Sequence, residues 1–455
     1  MAGMRCLRDY PLTPPPRRLS DARRIRWRAS DNRTVRVGRG FLSPNGACLR
    51  SALLRATLSC STLLTLPQAS VALQVSDVSD PFSGGLLHLS EAVTIRGAPV
   101  GGPELTAPRA LLVDSDAIYV LDPAVHGVHR FDSVGRWLVT IGSEGEGPGE
   151  FRRPTDMGLS ADTLWISDQV LGRLSLFDGE SGSVIRTVQF RVAGARHVTT
   201  PRRILNSWIL GIPQYYGTSA AELDSIPLIL FDEKGGVRDT LAWQAIGRGT
   251  VSILIQTDPG SASGRGRLRI NHPFDPRSLT AVDPRGRSMY IGTWRLDRHR
   301  NGDFELLRIS GAADTVAKAR LPFGRAPASR RDVDAYARTA HEGLPPNIRA
   351  RLTARDLSRQ LERQVPRPVH STIDAMVAGE DGTIWLRKTA QGDVPSASRW
   401  VAYRFGAGFL GVAVLPAGQR LLAASGGLLW TVTEDGLGVP QITGWAISWP
   451  SGVEE

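Results

Sequence analysis

A chain of 455 residues with 41% hydrophobic residues can bury a large core, and its 48 glycines suit many short strands and turns better than long helices. The net charge of +11 would ordinarily raise nucleic-acid binding, but 13 of the 55 basic side chains and three of the 44 acidic ones fall in residues 1–72, which leaves 42 basic against 41 acidic groups elsewhere. A body this close to neutral offers no concentrated basic face from which counter-ions could be released, so nucleic acid is excluded as a partner.

Residues 1–47 are rich in Arg, Pro and Ser, with runs at Pro14 to Arg18 and Arg23 to Arg28, and show no sustained apolar period. They read as a disordered segment or as the product of a start codon placed too far upstream. Residues 48–72 have the layout of a signal peptide: Arg50 and Arg55, a modest apolar run from Ala56 to Leu66, then the small-x-small site Ser70, Val71, Ala72. Use of that segment would place the protein in the periplasm or outside the cell. Cys60 fits a lipid-anchor site poorly, because Thr57 to Ser59 lack leucine at the needed place, and no stretch reaches the roughly 18 apolar residues of a membrane span. Cys6, Cys48 and Cys60 all precede residue 73, so the body has neither disulfides nor thiol ligands.

From residue 86 to residue 447 the chain repeats. At an offset of 46, Thr94 and Ile95 match Thr140 and Ile141, Pro108 matches Pro154, Asp122 matches Asp168, and Phe131 and Asp132 match Phe177 and Asp178. An aromatic residue inside a short apolar strand recurs at Tyr119, Trp165, Trp208, Tyr290, Trp385 and Trp430, which implies six units. In the second unit four strands are legible, near 155–159, 163–167, 173–177 and 184–190, separated by Asp/Gly/Ser turns. Units of about 40 to 50 residues with four strands each are propeller blades, so the expected fold is all-β, a six-bladed β-propeller. The last unit shows only three strands, near 420–424, 428–433 and 439–447. The strand ending in Val93, Thr94 and Ile95 aligns with an outermost strand, so it should complete that blade and close the ring.

The run Thr140 to Pro154 (Thr-Ile-Gly-Ser-Glu-Gly-Glu-Gly-Pro-Gly-Glu-Phe-Arg-Arg-Pro), the aromatic strand ending in Asp168 and the strand Arg173 to Asp178 together resemble an NHL-type repeat. The region 86–447 resembles the six-bladed NHL-like propellers of exported bacterial proteins. That resemblance implies a fold and not a function, because propellers host binding, lyase and lactonase activities alike.

With strands lettered a to d from hub to rim, the b–c loops and the links to the next blade leave on one face, and the short a–b and c–d turns on the other. The first face is the elaborated one. Its links span 244–275 and 322–372, and its loops span 211–226, 292–303 and 388–399. Long loops on a rigid scaffold are where binding groups are usually placed. The link before blade five contains a helical insertion, about 329–365. Ser329 is placed to cap a helix carrying Val333, Tyr336, Ala337 and Ala340, and Gly343 to end it. A second helical stretch follows Pro345 and Pro346 and pairs Ile348 with Leu352 and Leu357 with Leu361. The insertion is expected to lie over the elaborated face as a flap. Residues 448–455 form a tail.

Tyr215, Tyr216, Trp294, Arg295, Arg298 and His299 are the binding candidates, since aromatic and arginine side chains make good contact anchors. Arg300 extends the same run. His197, His272 and His370 are each expected to precede the innermost strand of blades three, four and five and are candidates for a three-histidine metal site, but they are out of register with one another, and no cofactor is assigned. His126 and His129 read as a solvated edge pair. Glu144, Glu146 and Glu150 offer oxygens of the kind calcium takes, but Glu104 is the repeat partner of Glu150, which implies a packing role. The function these features favour is an exported, monomeric binding module for a protein, peptide or glycan, using the elaborated face. The alternative is a propeller lyase or lactonase with a divalent metal in the central funnel, and no catalytic residue is assigned.

Overall fold

The computed structural model describes residues 73–449 apart from 76–79, 98–101, 115, 191, 193–194, 205–207, 216–224, 246–249, 257–264, 272–273, 275–277, 297–301, 311–314, 365–368 and 390–396. All of these described residues lie in one compact unit, Pro67–Glu455.

Six antiparallel four-stranded blades follow one another along the chain. Blade one is built from Ala110–Asp114, Ala117–Asp122, Gly127–Asp132 and Trp137–Ile141, and blade two from Pro154–Ser160, Thr163–Asp168, Arg173–Asp178 and Val184–Gln189. Blade three runs Ala195–Ile204, Trp208–Tyr215, Ser225–Phe231 and Val237–Ala245. Blade four runs Leu279–Val282, Ser288–Leu296, Gly302–Ser310 and Thr315–Leu321, and blade five Ile373–Ala378, Thr383–Lys388, Ser398–Arg404 and Gly408–Leu415. Blade six takes Arg420–Ser425, Leu428–Glu434 and Pro440–Ser448 from the C-terminal end and its rim strand, His88–Ile95, from the N-terminal side. The register His88↔Ser448 through Ile95↔Ile442 is antiparallel, so the ring closes as the sequence implied. Each of the six aromatic landmarks sits on strand b of its blade.

The two-residue period of a strand decides how the blades stack. On strand b of blade one, Ile118 and Val120 pack with Trp430 and Val432 of blade six, while Tyr119 and Leu121 pack with Leu164 and Ile166 of blade two. The same alternation recurs at the other junctions. Trp165 joins blade two to Phe231 of blade three, Leu228 and Leu230 join blade three to Met289 and Ile291, Tyr290 joins blade four to Tyr403, and Trp385 joins blade five to Leu429. Much of the packing therefore lies between blades, where strands b of blades one and two are buried on both faces. Tyr119 adds a hydrogen bond from its hydroxyl to the Gly179 carbonyl of the next blade, at 2.9 Å.

The N-terminal segment does more than close blade six. Leu73–Val75 adds a fifth, parallel strand to the rim of blade four against Lys318 to Arg320. The chain then turns at a 3₁₀ helix, Pro81–Ser83, capped by Asp80. Phe82 inserts into the junction of blades four and five with its ring 5.6 Å from that of Phe323, and Arg399 donates to the Phe82 carbonyl. Mutual bonds between Gly85, Leu87 and Val412 pass along the rim of blade five before the segment reaches blade six. Three successive blades are thus tied by one belt, which protects the rim edges of blades four and five.

Three segments expected as loops are strands. The link before blade four contains a hairpin, Thr250–Gln256 with Arg265–Asn271, and the loop placed at 292–303 is largely hairpin, because Ser288–Leu296 and Gly302–Ser310 pair through Leu296↔Gly302. Strand b of blade three likewise extends to Tyr215. Cross-strand hydrogen bonds satisfy the backbone of such long excursions better than irregular loops would.

The helical insertion is flanked by the strand pair Arg325–Pro327 and Val369–Ser371 and contains α1 (Arg330–Glu342), α2 (Pro346–Arg349) and α3 (Ala354–Gln364). Ser329 and Asp332 form the capping box that starts α1, and Gly343 ends it. Thr353 and Asp356 start α3 the same way. Val333, Ala337, Leu352, Leu357 and Leu361 close on Phe274, which belongs to the link before blade four. The apolar face of the insertion is therefore covered by another long link on the same face.

Candidate functional site

The glycine-rich stretch of the repeat is a braced link. Gly142 has φ +97, and a Cβ there would sit 2.5 Å from the Phe151 ring. Asp168, fully buried, accepts four backbone N–H bonds, from Arg152 and Arg153 on one oxygen and Val170 and Leu171 on the other, all at 2.8 Å. Arg173 supplies the opposite polarity and donates to the carbonyls of Glu146, Gly147 and Glu150 at 2.6–2.7 Å. Asp122, the counterpart of Asp168, accepts from Thr106, Ala107 and Ala124. Glu144 and Glu146 are paired with Arg152, and Glu150 accepts from the Gly147 amide, so all three of these carboxylates serve the link itself.

This bracing positions the start of the inner strands. Arg109 immediately precedes strand a of blade one, Arg153 immediately precedes strand a of blade two, and Arg420 opens strand a of blade six. Because the three blades are neighbours and their inner strands converge on the axis, the three arginines meet. They line a cavity of ≈ 960 Å³ at the mouth of the central channel on the long-loop face, together with Thr106 to Pro108, Pro123, Thr433, Glu434 and Pro440. Arg109 Nε donates to the Thr155 carbonyl at 2.9 Å and Arg420 Nη2 to the Pro108 carbonyl at 2.8 Å, which fixes both forks. Arg420 is an exposed residue of the cavity wall, held by its bond to Pro108. Burial, then the nearby Arg109 charge, push its pKa below the ordinary arginine value, with Glu434 opposing.

Further along the same inner strands a separate cavity of ≈ 180 Å³ is lined by blades one, two, four, five and six, including Leu112, Met157, Ala281, Val377 and Ala423, with Asp156 as its acidic group. At the opposite face Arg285 of blade four reaches across the axis to Asp114 of blade one, Nη1 to Oδ1 at 2.8 Å, and donates to the Val113 carbonyl. Glu380 of blade five lies 3.8 Å from Arg285 Nε and accepts from Ser425 of blade six, whose oxygen in turn accepts from the Val113 amide. Four blades thus share one polar floor. A second cavity, ≈ 470 Å³, opens beside it between Arg285, Arg287, Arg404, Trp385 and Trp449. Its arginines are matched to Asp114, Asp283, Glu380 and Asp381.

The described candidates read from the sequence fall on blades three and four and on the helical insertion, away from the cavity of the three arginines. Trp294 packs edge-on against Phe304, with centroids 5.2 Å apart, and joins the core between blades four and five. Arg295 lies opposite Asp303 in the same hairpin, and Tyr215 ends strand b of blade three opposite Ala195, two positions from His197, which pairs with Gln214. Tyr216, Arg298, His299 and His272 lie outside the described residues. His370 is engaged by the helical insertion: its Nε2 is 3.4 Å from Asp332 Oδ2 and its ring meets Phe274 edge-on at 5.3 Å. Among the described residues no three His, Cys, Asp or Glu side chains gather in a metal-binding group. The reading of His129 as a solvated edge residue is corrected, for it is fully buried on strand c of blade one, with Nδ1 2.9 Å from Thr140 Oγ1. A strand packed between two blades has no solvated side.

The three arginines were missed because each is unremarkable in its own blade. The signal available was positional, an arginine at the start of strand a in three successive blades of a closed ring.

Residues 104–213 match the family described as "6-bladed beta-propeller". The chain has the six-bladed β-propeller fold. Among solved structures it is similar to a Bacteroides fragilis protein described as exported, at 11% identity over 82% of this chain and 98% of that one, with a TM-score of 0.44. It is also similar to a member of the DUF4221 family from Bacteroides vulgatus, at 10% identity over 80% and 99% of the two chains and a TM-score of 0.42. The calcium-binding protein regucalcin from Agrobacterium tumefaciens matches at 12% identity over 80% and 96%, with a TM-score of 0.36. At these identities the likeness is one of fold. No curated protein matches the sequence.

Proposed function

We propose that this propeller is an exported binding module that engages a protein, peptide or glycan through its long-loop face. The observation that carries this reading is the asymmetry of the channel, with a ≈ 960 Å³ mouth on the face bearing the long links and a floor bridged by Arg285 on the other. Concave, largely preformed depressions at the centre of a rigid scaffold are the usual place for a ligand. The braced link supports the same reading, since Asp122 and Asp168 hold the backbone that carries Arg109 and Arg153 in place before any ligand arrives. Among the described residues no helix is long and apolar enough to cross a membrane. Cleavage of the signal-like segment after Ala72 would leave the strand Leu73–Val75 whole.

The test is to screen the full chain against peptide and glycan arrays and to follow hydrogen exchange with the best ligand. Protection of 104–109 and 418–434 supports the reading, whereas protection confined to the turns at 283–287 and 379–382 overturns it. Mass spectrometry of the N-terminus recovered from the periplasm or medium checks export, with residue 73 as the expected first residue.

A further inference from the structure

We propose that the mouth of the channel is an oxyanion site, in which Arg109, Arg153 and Arg420 hold a carboxylate or phosphate group of the ligand. This rests on the long-loop face being the binding face and names the chemistry that face recognises.

Three observations carry it. The first is convergence: the three arginines come from three different blades and line one cavity. The second is charge imbalance. Several arginines elsewhere on the described surface are matched to acids, as in Arg152 with Glu144 and Glu146, Arg186 with Glu233, Arg285 with Asp114, Arg387 with Asp374 and Arg404 with Asp381. At the mouth Arg109, Arg153 and Arg420 face a single lining carboxylate, Glu434, and none of the three makes an ion pair among the described residues. The charge of Arg109 opposes that of Arg420, while the carboxylates of Asp122 and Asp168 are occupied behind the lining by the amides of Thr106, Ala107 and Arg153. A bound anion relieves both the repulsion and the loss of solvent.

The third observation is the supply of donors. The amides nearest the cavity are already used, since those of Thr106, Ala107 and Arg153 donate to Asp122 and Asp168. The N–H groups left to meet a ligand are those of the guanidinium forks. Arg109 and Arg420 each spend one nitrogen on a backbone carbonyl, which restrains the fork and leaves its other N–H groups without a partner among the described residues. A planar fork matches the two oxygens of a carboxylate or phosphate and makes short, charge-assisted bonds to them. Pro108, Pro123 and Pro440 stiffen the rim, so little ordering accompanies binding.

Isothermal titration of the full chain with citrate and, separately, pyrophosphate, each against sodium chloride at matched ionic strength, tests the site and distinguishes the carboxylate from the phosphate. Binding by at least one is expected, weakened tenfold or more in Arg153→Ala and in Arg420→Ala. Arg420→Lys should recover only part of the loss, because it keeps the charge and not the fork. Arg186→Ala, on the rim of blade two, should bind as the wild type. Melting curves identify any variant that has lost its fold, and the Lys variant then carries the comparison. Absence of binding above chloride by both anions, or equal affinity in the Arg153 and Arg420 variants, overturns the site. An array ligand that protects the long-loop face and still binds both variants leaves the binding face standing and removes the oxyanion site, so the two failures are separable.

Discussion

Replacing Asp168 by alanine isolates the role of the repeat's signature carboxylate. The side chain is fully buried and each oxygen accepts two backbone N–H groups. Hydrogen bonds to a charged acceptor contribute about 1.5–3 kcal/mol each, but the Arg152, Arg153 and Val170 segments lie near solvent and water would replace part of what is lost. A net cost of about 3–5 kcal/mol is expected. With an unfolding entropy of about 2 cal/mol/K per residue, a propeller of this size should lose roughly 4–6 °C in melting temperature. Asparagine should rescue little, because it retains one carbonyl oxygen and turns an NH₂ group toward two N–H donors. The assay is thermal melting followed by circular dichroism, with hydrogen exchange resolved at Val170 and Leu171. A melting temperature within 1 °C of wild type, with those amides still protected, would refute the account of Asp168 as the brace of the link.

Deleting residues 86–96 removes the rim strand of blade six and should abolish the cooperative melt, an outcome read by calorimetry and contradicted by an unchanged transition. Phe82→Ala, which empties the anchor of the belt at blades four and five, should cost about 3 kcal/mol in urea denaturation, and a cost below 1 kcal/mol would mean that the belt bears no load. Trp294→Ala should lower stability by about 2–3 kcal/mol, since the ring is packed on Phe304 and only partly exposed; loss of ligand binding with unchanged stability would instead assign it to recognition. Burial holds the His129 pKa below its ordinary 6.5, against the weaker pull of Asp122. The unfolded chain therefore binds the proton more readily, so stability should be full above about pH 6.5 and decline as pH falls through that value toward the lower folded pKa. His129→Phe should flatten that slope between pH 7 and 5, and an unaltered slope would exclude His129 as its source.

The architecture was legible because each of its determinants is local. An offset of 46 fixed blades one and two, six aromatic strands fixed the number of units, and a C-terminal unit short of one strand required the N-terminal strand Val93 to Ile95 to supply it. Ser329 and Gly343 likewise announced the first helix, because a cap is a contact between residues three or four apart. The strand Leu73–Val75 escaped because three residues carry no periodicity, and its pairing with Lys318 to Arg320 spans most of the ring. The hairpin at Thr250–Gln256 escaped for another reason: it lies outside the blade repeat, where nothing in the other units predicts it.

The stretch from Gly142 to Pro154 shows where sequence stops and tertiary structure begins. Its glycines, its Glu-Phe-Arg-Arg-Pro ending and its distance from Asp168 are properties of the sequence, and they specify a turn that a buried carboxylate can brace. That the brace delivers Arg153 to the same cavity as Arg109 and Arg420, residues separated by most of the chain from one another's blades, is decided only when the sixth blade closes beside the first. Burial is decided the same way. His129 looks like a surface residue in its own strand and is fully buried in the closed ring, and Trp294 packs partly buried against the core of blades four and five. Ring closure brings distant inner strands to one axis, and a one-dimensional pattern contains no measure of that convergence.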